Sequence, residues 1–476
     1  MSRLVVVSNR VAPITEGEPA AGGLAVGVLD ALKAQGGLWF GWSGDVAAES
    51  GPGEQRNVGP ISIVTVDLSR RDYDEFYRGF ANGTLWPVLH YQIGLARFDW
   101  AEFAGYRRVN ELFARSLAGR LQPDDLVWVH DYHLLCFAEA LRAAGAANRT
   151  GLFLHTPFPE PGVLMTIPAH CELIRAMCAF DLLGFQTETD RTAFTDYVVR
   201  HAGGLALSDG RLSVLERVIR TGVYPIGVHI DEARAEAENP ANRRQAMRLR
   251  ANLQGRMLIL SVDRLDYSKG LRQRFLAFER FLQDAPEAHG EVIFMQIAPP
   301  SRSDIQTYRE IRRDLEAEAG RINGRFADLD WMPLRYLNRS FPRGVLMPLY
   351  AEARVGLVTP LRDGMNLVAK EYVAAQDPDD PGVLVLSQFA GAASELEAAL
   401  IVNPYDEAGI AAALQQGLSM GIEERRGRHA AMLDVMRRNS LEDWRDRFTA
   451  DLRATGDERA TPGVVFPHRA MHRSVP

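Results

Sequence analysis

Continuous apolar runs, each leading into a polar loop and then a stretch of helical period, recur along this chain. They fall at residues 4–8, 38–43, 61–66, 126–129, 151–154, 182–186, 218–222, 257–261, 292–297, 355–359 and 383–386. Continuity rather than alternation marks a strand buried on both faces. Between them, residues 24–34, 72–80, 303–320 and 342–351 read as helices, whereas the polar segment 51–59 reads as a loop. Strands alternating with helices predict parallel sheets covered on both sides. A chain of 476 residues exceeds what one core supports, so two domains of roughly 200 residues or more are expected. The charged, Ala-rich stretch 231–250, interrupted by Asn239-Pro240, reads as the crossing between them, and the strand pattern restarts at Met257. The expected organisation is α/β: two doubly wound, Rossmann-like domains (1–235 and 236–454) facing each other across a cleft. The last helix is able to pack back on the first domain, and 455–476 reads as a disordered tail.

The net charge of -7 gives no general attraction to nucleic acid, so any anionic ligand must be captured locally. No apolar run reaches membrane length, and the N-terminal apolar core is too short for a signal peptide, so a cytoplasmic protein is expected. Cys136, Cys171 and Cys178 are odd in number and lack CxxC spacing, which favours reduced core thiols over a zinc site. His130 and His133 stand three apart with no further ligand to complete a metal site.

In open α/β sheets, ligands bind beyond the carboxyl ends of the strands, which directs attention to the loops there. Residues 359–371, TPLRDGMNLVAKE, leave one strand and enter a helix for which Asn366 is a suitable N-cap. A helix N-terminus favours phosphate, while Asp363 and Glu371 beside it suit the hydroxyls of a sugar and a ribose. Arg264 and Lys269 share another such loop, and a guanidinium with an ammonium is what a diphosphate needs. Arg10 and Arg302 close two further strands, Asp131 and His155 two more. Gly22-Gly23 precedes a helix without the GxGxxG spacing, which disfavours a nicotinamide site. Tyr77 and Trp86 are equally able to line a sugar pocket or to fill a core. Cations at strand mouths in both halves point to two anionic ligands meeting in one cleft.

Several stretches carry a family resemblance: SNR from Ser8, GGLAVG from Gly22, HDYHLL from His130, HTPFP from His155, VDRLDYSKG from Val262, AGRINGRF from Ala319 and TPLRDGMNLVAKEYVAAQ from Thr359. Over nearly the whole chain, it resembles the trehalose-6-phosphate synthase family, retaining glucosyltransferases of the GT-B fold. That resemblance implies transfer of glucose from UDP-glucose to glucose 6-phosphate, with no cofactor and no metal. It assigns the acceptor to Arg10, Tyr77, Trp86, Asp131 and Arg302. The donor falls to Gly22, Gly23, His155, Arg264, Lys269, Phe341, Asp363, Gly364, Met365, Asn366, Leu367, Val368, Ala369, Lys370 and Glu371. Arg264, Lys269, Asp363 and His155 are the catalytic set, and Trp86 and Thr156 bear on the acceptor's anomeric centre. Related enzymes often have an aliphatic residue where this chain has Thr156. The family is expected to need no covalent nucleophile, since the leaving diphosphate takes the proton of the incoming hydroxyl. No nucleic acid or membrane partner is implied, and a homo-oligomer, tetramer or dimer, is expected. A transferase using ADP-glucose, GDP-glucose or glycerol 3-phosphate, a cyclitol-coupling relative and a non-catalytic sugar-phosphate sensor are the competing readings.

Overall fold

The structure is a computed structural model that describes residues 2–12, 27–32, 36–301 and 306–456, without the side chains of 243–247 and 249. The expected Gly22, Gly23 and Arg302, and the tail from 457 onward, lie outside the described residues. The first sheet contains β1 (Leu4–Arg10), β2 (Gly37–Ala47), β3 (Gly51–Val58), β4 (Ile61–Ser69) and β5 (Leu126–His130). It continues with β6 (Thr150–Phe153), β7 (Leu182–Phe185), β8 (Leu205–Ala206), β9 (Arg211–Val214) and β10 (Arg217–Val223). Its order is β3-β4-β2-β1-β5-β6-β7-β10-β9-β8. The interior pairs are parallel, while β3 and the β8–β9 hairpin run antiparallel at the two edges. The stretch read as a loop at 51–59 is therefore strand β3. It lies at an edge and half in water, so it carries no apolar run.

The second sheet contains β11 (Met257–Val262), β12 (Val292–Ile297), β13 (Leu334–Leu337), β14 (Val355–Val358), β15 (Val383–Ser387) and β16 (Leu400–Val402). All of its pairs are parallel, in the order β13-β12-β11-β14-β15-β16. Each sheet reverses its strand order once in its interior, between β1 and β5 in the first and between β11 and β14 in the second. Loops part to opposite faces at such a reversal and leave a crevice.

Alternation along β1 shows how the first sheet is covered. Val5 and Val7 face a core shared with the helix Trp100–Ala118, and Leu4 and Val6 face the other side. That other side is closed by the last helix, Leu441–Ala454, although it follows the second sheet in sequence. Its Phe448 stacks on Trp128 of β5 at 4.9 Å between centroids, and Trp444 lies 4.8 Å from the same ring. The stretch 231–250 is two helices, Ile230–Glu238 and Pro240–Leu253, which pack on the second domain's helix Arg343–Glu352. The residues 72–80 begin a longer, wide π-type helix, Tyr73–Leu85. Cys136, Cys171 and Cys178 are free; Cys136 and Cys178 are buried and Cys171 is half-buried.

Phe448 is fully buried, so Phe448→Ala removes a ring from the joint between the domains. The variant is expected to lose roughly 3–5 kcal/mol of stability, read from the midpoint of urea unfolding.

Candidate active site

The two strand-order reversals face one another across a cleft of about 920 Å³. From the first domain it is lined by Arg10, Asp131, His155 and Gln186, and from the second by Arg264, Lys269, Phe341, Arg343, Asp363 and residues 365–368 with Glu371. Most of the expected site residues are thus brought together. Gly364 is the point of closest approach: a Cβ there would stand 2.0 Å from the carbonyl oxygen of His155, so only glycine lets the two backbones meet.

In the second domain, the loops after β11 and β14 are joined across the reversal. Leu361 donates its amide to the Ser268 carbonyl at 2.8 Å, and the Lys269 ammonium bonds the Asp363 carboxylate. Burial pushes the Asp363 carboxyl up, but Lys269 and a 3.0 Å bond from Asn366 prevail and hold it below the usual range. Asn366 is the expected N-cap; its backbone is left-handed (φ 73°), and its side-chain oxygen accepts from the Ala369 amide at 3.3 Å. The first turn of the helix Leu367–Ala375 therefore opens on the cleft, with Glu371 one turn further on. Burial raises the Glu371 carboxyl pKa, opposed by Arg343, a cleft cation that no apolar run or motif flagged. Its sequence signal is its place at the start of the helix read at 342–351.

Ala369 and Lys370 do not line the cleft. The Lys370 side chain is fully buried and bonds Glu395 and the Ile226 carbonyl, so the donor role expected of it does not extend to its ammonium. Phe341 lines the cleft beneath the Arg339 guanidinium, 4.5 Å from its ring centre.

The first domain's wall is built differently. Asp131 follows β5 with φ 76° and ψ 170°, a region that non-glycine residues occupy only at a cost of roughly 1–3 kcal/mol. Its carboxylate accepts the His155 amide at 3.2 Å. Burial nevertheless raises its pKa to about 6, against the opposing pull of neighbouring amides and of Arg264. Burial also lowers the His155 imidazole to about 3, and its Nε2 lies 3.1 Å from Nδ1 of His130. His155 is therefore a neutral hydrogen-bonding group at physiological pH, paired with His130. Thr156 is buried, and its hydroxyl has no partner among the described residues.

Arg10 reaches the cleft with its guanidinium 5.8 Å from the Trp42 ring. Tyr77 stacks on His133 at 5.8 Å, and Trp86 is buried beside Tyr132. Neither aromatic is among the residues lining this cleft. Trp86 instead spans the domains, donating to Asp266 at 3.4 Å with Arg264 5.8 Å from its ring. Among the described residues, Asp30, His229 and Glu442 lie close enough to hold a cation, but Arg445 already stands 3.2 Å from Asp30.

Two doubly wound domains whose strand-order reversals face a common cleft have the GT-B architecture, which the solved relatives share. A family profile described as Glycosyltransferase family 20 matches residues 4–454, so the chain belongs to that family. A trehalose-6-phosphate synthase of Klebsiella pneumoniae is 53% identical over 452 residues, 95% of each chain. A Burkholderia xenovorans UDP-forming α,α-trehalose-phosphate synthase in complex with glucose 6-phosphate matches with TM-score 0.92 and 55% identity, covering 95% of this chain and 100% of that one. A structure from E. coli bound with UDP-2-fluoro glucose matches with TM-score 0.92 and 51% identity, over 96% of this chain and 100% of that one.

The Asp131 carboxyl supplies a pH test. Its folded pKa of about 6 lies above the ordinary 3.8, so its proton stabilises the fold fully below pH 3.8, and that contribution is lost as pH rises through 6. Asp131→Asn should therefore gain stability relative to the unsubstituted protein between pH 4 and 7, measured by urea unfolding at a series of pH values. A difference that stays flat would mean that the carboxyl is solvated.

Proposed function

We propose that the cleft transfers glucose from UDP-glucose to glucose 6-phosphate with retention, giving α,α-trehalose 6-phosphate and UDP. The observation that carries this reading is the pairing of Lys269 with Asp363 at one strand-order reversal, opposite Arg10 and Asp131 at the other. A diphosphate at the second reversal meets Lys269, Arg264 and the N-terminus of the helix Leu367–Ala375. Asp363 then exchanges its ammonium partner for hydroxyls of the donor glucose, and Glu371 takes those of the ribose. Leu367, Val368, Met365 and Phe341 give the walls of the donor pocket, and His155 gives a neutral hydrogen bond to the transferred sugar. Arg10 and Asp131, with Arg302 outside the described residues, hold the acceptor, and Tyr77 and Trp86, which stand behind the cleft wall with Trp86 beside Arg264, join them as the domains close.

In the transfer, the bond from the anomeric carbon to the diphosphate oxygen breaks, and a bond from that carbon to the acceptor's anomeric oxygen forms on the same face. The acceptor proton passes to the departing phosphate oxygen. His155, with a pKa of about 3, is a weak base, which supports this route for the proton. Lys269 and Arg264 stabilise the charge that develops on the leaving group. Closure of the two domains aligns both sugars and excludes water. The reading carries with it a cytoplasmic enzyme that assembles as a dimer or tetramer, the latter tested by light scattering.

UDP release measured with a panel of UDP-, ADP- and GDP-glucose against glucose 6-phosphate, glycerol 3-phosphate and glucose tests the assignment. Turnover should require a nucleotide sugar and a sugar phosphate together, fastest with UDP-glucose and glucose 6-phosphate; binding without release would indicate a sensor instead. Arg264 is exposed, so Arg264→Ala should cost about 10²-fold in turnover with an unchanged melting temperature. Lys269→Ala should lose at least as much, and stability too, because it leaves Asp363 buried without its cation. Near-normal turnover in both variants would overturn the leaving-group assignment.

A further inference from the structure

Lys370 sits in the motif at the donor pocket, yet its side chain turns away from the cleft, and the groups that it meets lie where the chain crosses between the domains. The first crossing leaves β10 and passes through Ile226 and Gly227 to the helix Ile230–Glu238. The return crossing runs from the helix Ile422–Arg438 through Asn439 and Ser440 to the last helix. The two strands of the hinge touch: a Cβ on Gly227 would lie 2.5 Å from the Asn439 carbonyl oxygen.

Lys370 Nζ donates to the Ile226 carbonyl at 2.7 Å and pairs with Glu395 Oε2 at 2.6 Å. The other Glu395 oxygen accepts from the Asn439 side chain at 2.8 Å. One buried ion pair thus reaches both crossings. On the other side of the same residue, the Ile226 amide donates to Gln186 Oε1 at 3.1 Å, and Gln186 lines the first domain's wall of the cleft. A continuous run of bonds joins the donor helix, which presents Leu367, Val368 and Glu371, to the opposite wall. No solvent intervenes, since Lys370 is 0% exposed and Glu395 has a side chain 8% exposed.

We infer that Lys370 is a positioning residue that couples occupancy of the donor pocket to closure of the two domains, through its bonds to Glu395 and Ile226. The inference rests on the donor and acceptor assignment above. When a donor draws the helix Leu367–Ala375 inward, the pair carries that displacement to both crossings together, so the acceptor wall follows. Each ligand should then tighten the other, since binding coupling is reciprocal.

Replacing Lys370 alone would leave Glu395 buried without a cation, so the test uses Lys370→Met together with Glu395→Gln, which removes both charges and keeps the acceptor for Asn439. Asn439→Ala, which detaches only the return crossing, is measured in parallel. Calorimetry gives the affinity for UDP with and without glucose 6-phosphate, and UDP release gives turnover. The double variant should bind UDP alone within about threefold of the unsubstituted protein, because its donor contacts are intact. Mutual tightening should fall toward a factor of one, and turnover should drop by about 10-fold or more as the sugars lose alignment. Asn439→Ala should fall between the two. Weakened UDP binding with tightening preserved would make Lys370 a donor contact and overturn the coupling role. So would a lowered melting temperature with affinity, tightening and turnover all retained, since that is a purely structural role. Unsubstituted protein that binds both ligands independently would overturn the coupling and leave the assignment of the cleft standing. If it bound neither, the assignment itself would fall, and this inference with it.

Discussion

The ion pair between Lys269 and Asp363 holds together two loops that would otherwise part at the strand-order reversal of the second sheet. A buried carboxylate is tolerated only with partners, and Asp363 finds them in Lys269 and Asn366. Asn366 also reaches Asp263 at 3.4 Å, and Asp263 accepts from the fully buried Arg274 at 2.7 Å. Arg274 completes the ring by donating to the Lys269 carbonyl at 2.8 Å and to the Thr359 hydroxyl at 3.0 Å. Each loop is thereby fixed by the other, and the charges that they carry are oriented before any ligand arrives. Preorganisation of this kind is what makes fixed charges effective at a reacting centre.

The facing wall follows another rule. His130 and His155 are kept neutral by burial, so beside Arg10 and Asp131 this side of the cleft offers uncharged hydrogen-bonding groups. Strain at Asp131 places its carboxyl against the His155 backbone, which in turn receives Gly364 from the other domain. Neutral imidazoles and an amide suit the orientation of sugar hydroxyls, whereas the cations, Arg10 on this wall and Lys269 and Arg264 opposite, suit phosphates.

Much of this was legible in the sequence because the reversals lie in sheet interiors. There, strands are buried on both faces and announce themselves as apolar runs, and the loops leaving them carry Arg10, Asp131, Arg264, Lys269 and Asp363 at their mouths. What escaped notice lies at edges: β3, β8, β9, β13 and β16 are short or half-solvated, and so lack apolar continuity. Arg343 escaped with them, since it follows such an edge strand. Lys370 shows a different limit. Val368 and Glu371, either side of it on the helix, face the cleft, but at helical spacing Lys370 points elsewhere, and only packing reveals that its partner is Glu395. Tyr77 and Trp86 are residue types that suit a pocket and a core equally. Trp86 proves to be a bridge between domains, a role that depends on Asp266 180 residues away.

The return of the last helix to the first domain also bears on how the protein is made. Trp128, Phe153 and Tyr224 belong to segments synthesised early, yet the face that they form is covered by Trp444 and Phe448. Domains generally fold as units, from the N-terminus onward, during synthesis. Here the first domain cannot finish in that order. Its apolar face stays open until the second domain has been translated and the closing helix has cleared the ribosome, so the part begun first is the part completed last.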